Sequence, residues 1–176
     1  MDHRDAVDML RNAPFEGGGQ QCWADLGCGT GTFTRALAEL LPPDSTIAAM
    51  DRDALALKLV PDEHGGTHIT KHVGDFVHDA LPATELDGIL LANALHFVRD
   101  QSEFIRRAST LLKPSGAFML VEYDTDKSNP WVPRPLSFTA LAQLFKGCGF
   151  GPVVRLADRP SAFGRARLYA AWAARE

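Results

Sequence analysis

The stretch ADLGCGTGTFTRALAELL, Ala24 to Leu41, decides the fold. Three glycines alternate at positions 27, 29 and 31, two residues behind the carboxylate of Asp25. Behind them Phe33, Ala36, Leu37, Leu40 and Leu41 recur at the i, i+3, i+4, i+7 spacing of one helix face. Ahead of them CWADL, residues 22–26, is a short apolar run of the kind that forms a buried strand. Strand, glycine turn and helix in that order form the opening unit of a parallel sheet. Glycine in the turn permits positive φ and lets the backbone approach a ligand closely. The new helix adds free N–H groups and the positive end of its dipole.

Outward from this unit the same alternation continues. Residues 4–12 carry a helical pattern that ends at Pro14, ahead of a flexible Gly17-Gly18-Gly19. Beyond the first unit, Pro42-Pro43 stops the helix, STIAAMD (45–51) is a second strand, and Asp53 is placed to cap a short helix, ALALKLV. THITKHVGD (67–75) is a third strand. LDGILLAN (86–93) is a fourth, almost continuously apolar, as a strand covered on both faces requires. Phe104, Ile105, Ala108, Leu111 and Leu112 make the next helical stripe, closed by Lys113-Pro-Ser-Gly, and AFMLVEY (117–123) is strand five.

A loop rich in Pro and Asp runs from 124 to 135. Ser137 then caps a helix bearing Phe138, Leu141, Leu144 and Phe145, with Gly147 at its end. PVVRLADR and RARLYAAWA, joined by a few residues, form an antiparallel hairpin carrying Arg155, Arg159, Arg165 and Arg167, whose charges suit a solvated sheet edge. The expectation is an α/β fold: a Rossmann-like, doubly wound sheet of seven strands, mostly parallel with an antiparallel C-terminal strand, in a single domain over 1–176.

Composition bounds the function. At 45% hydrophobic and 23% charged the chain is globular, and its net charge of -4, without a basic tract, works against a nucleic-acid partner. The opening MDHRDAVDML places acids where a signal peptide needs an apolar core. No apolar run reaches membrane-spanning length, so no membrane association is expected. Cys22, Cys28 and Cys148 form neither a CxxC pair nor an even set and read as small reduced residues in a cytoplasmic protein.

The glycine spacing separates two nucleotide-derived ligands. A dinucleotide fingerprint reads G-x-G-x-x-G, and the sixth position counted from Gly27 is Thr32, which disfavours an NAD-linked oxidoreductase. Asp51 closes the second strand about twenty residues past the loop, where a carboxylate can accept both hydroxyls of a ribose. Asp75 ends the third strand, with Phe76 beside it.

From about Cys22 to Tyr123 the chain resembles a class I S-adenosylmethionine-dependent methyltransferase, nearest the small-molecule branch typified by ubiquinone/menaquinone C-methyltransferases. DLGCGTG resembles that family's first motif, AAMD its second, GDFVHDALP its third, LDGILLANALHFV its fourth and LLKPSGAFMLVE its fifth. Leu86 stands where an aromatic is usual, and Ser115 where a glycine is usual.

The resemblance implies S-adenosylmethionine as cofactor, with S-adenosylhomocysteine as product, and it implies residue roles. Asp25 and the loop Gly27, Cys28, Gly29, Gly31 would hold the amino-acid end of the cofactor. Asp51, followed by Arg52, would hold the ribose, Asp75 and Phe76 the adenine, and Asn93 would lie near the sulfonium. The fourth strand ends in LANAL, without the D/N-P-P-Y/F pattern or the Pro-Cys nucleophile of DNA methyltransferases. The overhanging segments are short, so the expected acceptor is a small organic molecule.

Acceptor residues are less legible. His96, directly past strand four, is the candidate general base, against a packing role. Tyr123, Trp131 and Arg134 are candidates for a pocket accepting a flat or anionic molecule, with Trp131 equally able to cover the core. His64, His68 and His72 are spaced by four, but Gly65-Gly66 interrupts the first pair, and on a strand His68 and His72 stand about 13 Å apart. No metal site is expected. The other function class compatible with the motifs is a non-catalytic cofactor-binding or partner-regulating domain.

Overall fold

The computed structural model describes residues 1–15, 18–160 and 167–175. Gly17, the turn of the C-terminal hairpin and Arg165 lie outside the described residues. The chain begins with helix α1 (His3–Leu10), capped by Asp2, whose carboxylate accepts from the Asp5 N–H. The first unit follows as β1 (Cys22–Leu26) and α2 (Thr32–Leu40). Next come β2 (Thr46–Asp51), α3 (Ala54–Leu57), β3 (Glu63–His64), β4 (Thr67–Val73) and β5 (Leu86–Ala92). A 3-10 turn (Leu95–Phe97), α4 (Gln101–Ser109), β6 (Leu112–Tyr123), α5 (Phe138–Gly147), β7 (Val154–Pro160) and β8 (Arg167–Ala174) complete it.

All the strands join one sheet in the order β3-β4-β2-β1-β5-β6-β8-β7. The five inner strands from β4 to β6 run parallel; β8 pairs antiparallel with β6 and β7, and β3 antiparallel with β4. The expected doubly wound architecture is present, with eight strands among the described residues rather than seven. The additional one is β3, two residues too short to carry any period, which Gly65 and Gly66 fold back onto β4 through positive φ values of 59° and 82°.

Two cores cover the two faces of the sheet. Trp23, Leu37, Ile47 and Leu90 pack with α1 and α2 on one face; Leu26, Ile89, Phe118 and Phe145 pack with α4 and α5 on the other. The central strand β5 is buried almost throughout, as its unbroken apolar sequence requires. Asp53 caps α3 through the Leu55 and Ala56 N–H groups, and Ser137 caps α5 through Ala140 N–H. Gly147 is the last residue of α5, as expected, and the left-handed Gly149, at φ 85°, follows two residues later. Two of the hairpin arginines are bound rather than merely solvated: Arg155 bridges Asp124 and Asp158 and lies 4.2 Å from the Phe138 ring centre, and Arg159 pairs with Asp5.

Candidate functional site

Strand order reverses between β1 and β5, and in open parallel sheets ligands bind outside the carboxyl ends of the strands at that reversal. A cavity of about 610 Å³ opens there. Its lining combines Gly27 from the first turn, Asp51 and Arg52 from the end of β2, Asp75 and Phe76 beyond β4, and Asn93 beyond β5. Four successive strand ends thus converge on one space. Arg134 and Phe97 also border it.

The first turn is held from below. Gly27 and Cys28 both donate their N–H groups to the Met50 carbonyl, at 2.8 and 3.2 Å, and Gly29 donates to Asp51 Oδ2 at 2.7 Å. The other Asp51 oxygen accepts from Asp53 N–H at 2.9 Å. Asp51 therefore shapes the glycine loop as well as facing the cavity, and it keeps lone pairs for further donors. Gly27, at φ 78°, has no room for a side chain: a Cβ would lie 3.0 Å from Ala94 Cβ and 3.1 Å from the Phe76 ring. At Gly29, at φ 53°, a Cβ would meet nothing within 4 Å, so its absence leaves open space along the loop.

Two buried acceptors lack partners. Asp25 is fully buried beneath the loop; Thr34 donates to its Oδ2 at 2.6 Å, while Oδ1 has no partner. Burial pushes the Asp25 carboxyl up to about 7, against the lowering effect of the Thr34 hydrogen bond and with a further rise from the charge of Asp51. Asn93 has left-handed backbone, φ 54°, and its Oδ1 is likewise buried without a partner. A strained residue with an orphaned polar atom at a strand end is the mark of a ligand site. Both are acceptors, the kind of atom an ammonium group would need; Asn93 lines the cavity, whereas Asp25, Cys28, Gly29 and Gly31 are not among its lining residues. The Cys28 thiol is pushed upward by burial and by Asp25 and Asp51, so it stays protonated at neutral pH.

His96 lies deeper than the cavity wall. It is 2% exposed, its Nδ1 stands 2.6 Å from Glu122 Oε2, and its backbone N–H reaches Oε1 at 3.3 Å. Glu122 is fully buried near the end of β6. The His96 ring packs on Phe97 at 4.3 Å and faces Tyr123 at 6.2 Å. Asn93, Ala94 and Phe97 line the cavity, whereas His96 and Tyr123 are not among its lining residues. Trp131 is 83% exposed and is also outside the lining. Of the residues expected on the acceptor side, only Arg134 borders the cavity; its N–H donates to the His96 carbonyl and its guanidinium reaches the Phe97 carbonyl at 3.4 Å. Sequence reasoning missed Glu122 as the partner of His96, and Phe97 as a wall.

Comparison with known proteins bears on the family and the fold. The family model described as "Methyltransferase domain" matches residues 24–120, more than half of the chain. An uncharacterized methyltransferase of Mycobacterium tuberculosis is 29% identical over 107 residues, covering 61% of this chain and 53% of that protein. A ubiquinone/menaquinone biosynthesis C-methyltransferase of Pseudomonas aeruginosa is 28% identical over 109 residues, covering 60% and 43%. The chain thus spans about half the length of the curated relatives it matches. A Thermotoga maritima structure described as a SAM-dependent methyltransferase, possibly a histamine N-methyltransferase, superposes with a TM-score of 0.71 at 14% identity, covering 99% of this chain and 90% of that one.

Proposed function

The chain belongs to the methyltransferase-domain family, and from that premise we propose that it transfers a methyl group from S-adenosylmethionine to a small organic acceptor. The observation that carries this reading is the pair of unpartnered buried oxygens, Asp25 Oδ1 and Asn93 Oδ1, at the strand ends where the glycine loop opens. Asp25 and the loop from Gly27 to Gly31 would hold the amino-acid end of the cofactor, Asp51 the ribose with Arg52 beside it, and Asp75 with Phe76 the adenine. Asn93 would face the methyl-bearing end.

S-adenosylmethionine, when bound, supplies a methyl group already activated on a sulfonium, so no covalent nucleophile is asked of the protein. That agrees with a Cys28 thiol kept neutral. The chain's contribution is alignment and exclusion of water, and orientation of this kind can supply roughly 7–11 kcal/mol of a barrier. Rigid parts serve it: Phe76 is wedged against Gly27 and stacks edge-on to Phe104 at 5.4 Å, and Arg134 ties the 124–135 loop to the 3-10 turn. For an acceptor that must lose a proton, the buried His96–Glu122 pair, which does not line the cavity, would have to act through an intervening group; with the proton of Nδ1 directed at Glu122, Nε2 would keep a lone pair for it.

Calorimetry with S-adenosylmethionine and S-adenosylhomocysteine, followed by transfer of labelled methyl to a panel of phenols, quinones, amines and carboxylates, tests the proposal. Saturable binding with transfer to at least one class is expected. Binding without transfer supports a cofactor-binding domain instead, and absence of binding removes both readings.

A further inference from the structure

On the rim of the sheet opposite the cavity, three side chains from three elements meet. His3 Nε2 lies 2.6 Å from Glu39 Oε2, His64 Nε2 lies 3.9 Å from the same oxygen, and the three ligand atoms all fall within 4.8 Å of one another. The imidazole rings meet edge-on with centres 5.3 Å apart. We infer that His3, Glu39 and His64 form a binding site for a zinc-type divalent transition-metal ion, which clasps α1 to α2 and to the edge hairpin β3–β4.

The donor set decides the class of ion. Two imidazoles and one carboxylate suit zinc and its neighbours, whereas magnesium and calcium favour oxygen ligands. A tetrahedral ion with bonds of about 2.0–2.1 Å holds neighbouring ligand atoms about 3.3 Å apart. The contact of 2.6 Å is shorter than this and that of 3.9 Å longer, so the three atoms surround the required separation and small side-chain rotations suffice. The side chains are 38%, 49% and 32% exposed, open to an ion from solvent and leaving a fourth position for water. His3 enters the cluster through Nε2, and its buried Nδ1 has no partner among the described residues.

The backbone beneath is fixed. Asp2 caps α1 at its first turn, immediately before His3. Glu39 sits in the last turn of α2, and Thr67 anchors the hairpin there by donating its buried hydroxyl to the Ala38 carbonyl at 3.1 Å. Gly65 presses so closely on that helix end that a Cβ would lie 3.3 Å from both the Ala38 oxygen and the Glu39 Cα. The hairpin therefore carries His64 to Glu39 only because glycine follows it. His68 and His72 take no part: His68 stands 4.0 Å from Glu63, and His72 contacts Thr70. Since α2 starts at the glycine loop and carries Glu39 in its last turn, about 10 Å of helix separates the cluster from the cavity, and the inference is independent of the proposed activity.

Zinc(II) titrated into the metal-free full chain against a chromophoric chelator tests it, with thermal unfolding followed in parallel. One ion per chain, bound at micromolar concentration or tighter with a rise in Tm, is expected. Glu39→Gln and His64→Ala should each weaken binding at least tenfold while the metal-free variants keep the wild-type Tm within a few degrees, and His68→Ala should bind as the wild type does. The absence of saturable binding, or affinity unchanged in His64→Ala, overturns the inference and leaves a surface histidine–glutamate ion pair. Cobalt(II) gives a second readout: absorption of a four-coordinate ion that disappears in Glu39→Gln supports the site, and a spectrum like that of the hydrated ion counts against it.

Discussion

Replacing Asp25 by asparagine tests the electrostatics of the cofactor floor. The carboxyl is fully buried, with one oxygen on Thr34 and the other unpartnered, and burial raises it from 3.8 to about 7. The folded state thus holds this proton far more tightly than the unfolded chain does. The stability this confers is fully present below about pH 4 and is lost as pH rises towards 7, because folding must then bury a charge that water would otherwise solvate. At about 1.4 kcal/mol per tenfold change in proton affinity, the loss amounts to roughly 4 kcal/mol. Asp25→Asn keeps the shape and the acceptor for Thr34 but cannot ionise. Urea unfolding of both proteins from pH 4 to 8 should show the difference in their stabilities drifting in favour of the variant by a few kcal/mol, most steeply between pH 5 and 7. A difference that stays constant over that range would refute the reasoning.

The same group makes a second, opposite forecast for ligand binding. If, as proposed, Asp25 holds the amino-acid end of the cofactor, a bound ammonium there would favour the carboxylate, so S-adenosylmethionine should bind more tightly as pH rises towards 7, with release of a proton. Calorimetry below pH 7 in buffers of different ionisation enthalpy reads that proton directly. Asp25→Asn should abolish its release and weaken binding at every pH.

Three further outcomes follow from the geometry. Asp51→Ala removes the carboxylate proposed to hold the ribose and the acceptor that shapes the loop at Gly29; at roughly 1.5–3 kcal/mol per charged hydrogen bond, calorimetry should show cofactor affinity at least tenfold lower. Gly27→Ala forces a Cβ against Ala94 and Phe76 at positive φ, so thermal unfolding should show a loss of about 1–3 kcal/mol together with loss of cofactor binding. His96→Ala removes the imidazole from Glu122 Oε2 and leaves only the backbone N–H of residue 96 on Oε1, which should cost about 1–3 kcal/mol, whereas Glu122→Gln keeps a hydrogen-bonding partner for Nδ1 and a folded protein. If the pair moves a proton in catalysis, Glu122→Gln lowers turnover with cofactor affinity intact; unchanged turnover assigns the pair to packing.

What could be read from the sequence, and what could not, follows from how many chain segments a feature requires. The glycine loop was legible because turn, close approach and helix start are local demands met within eight residues, and the acids at Asp51 and Asp75 were legible because each sits at the end of a strand whose own pattern marks it. Strand β3 was not: two residues carry no period, and only the fold-back at Gly65-Gly66 brings them to β4. Glu122 ends a continuous apolar run and gave no sign that it was buried against His96, since that contact depends on which way the 3-10 turn after β5 faces. The histidine cluster shows the same limit from the other side. A spacing of four within one segment drew attention to His64, His68 and His72, yet His64 meets His3 and Glu39, residues 61 and 25 positions earlier, because α1, the end of α2 and the edge hairpin converge on one corner. A side chain's partners within one element follow from period alone; partners drawn from three elements follow only from how those elements pack, and in this protein the cofactor loop belongs to the first kind while the His96–Glu122 pair and the His3–Glu39–His64 cluster belong to the second.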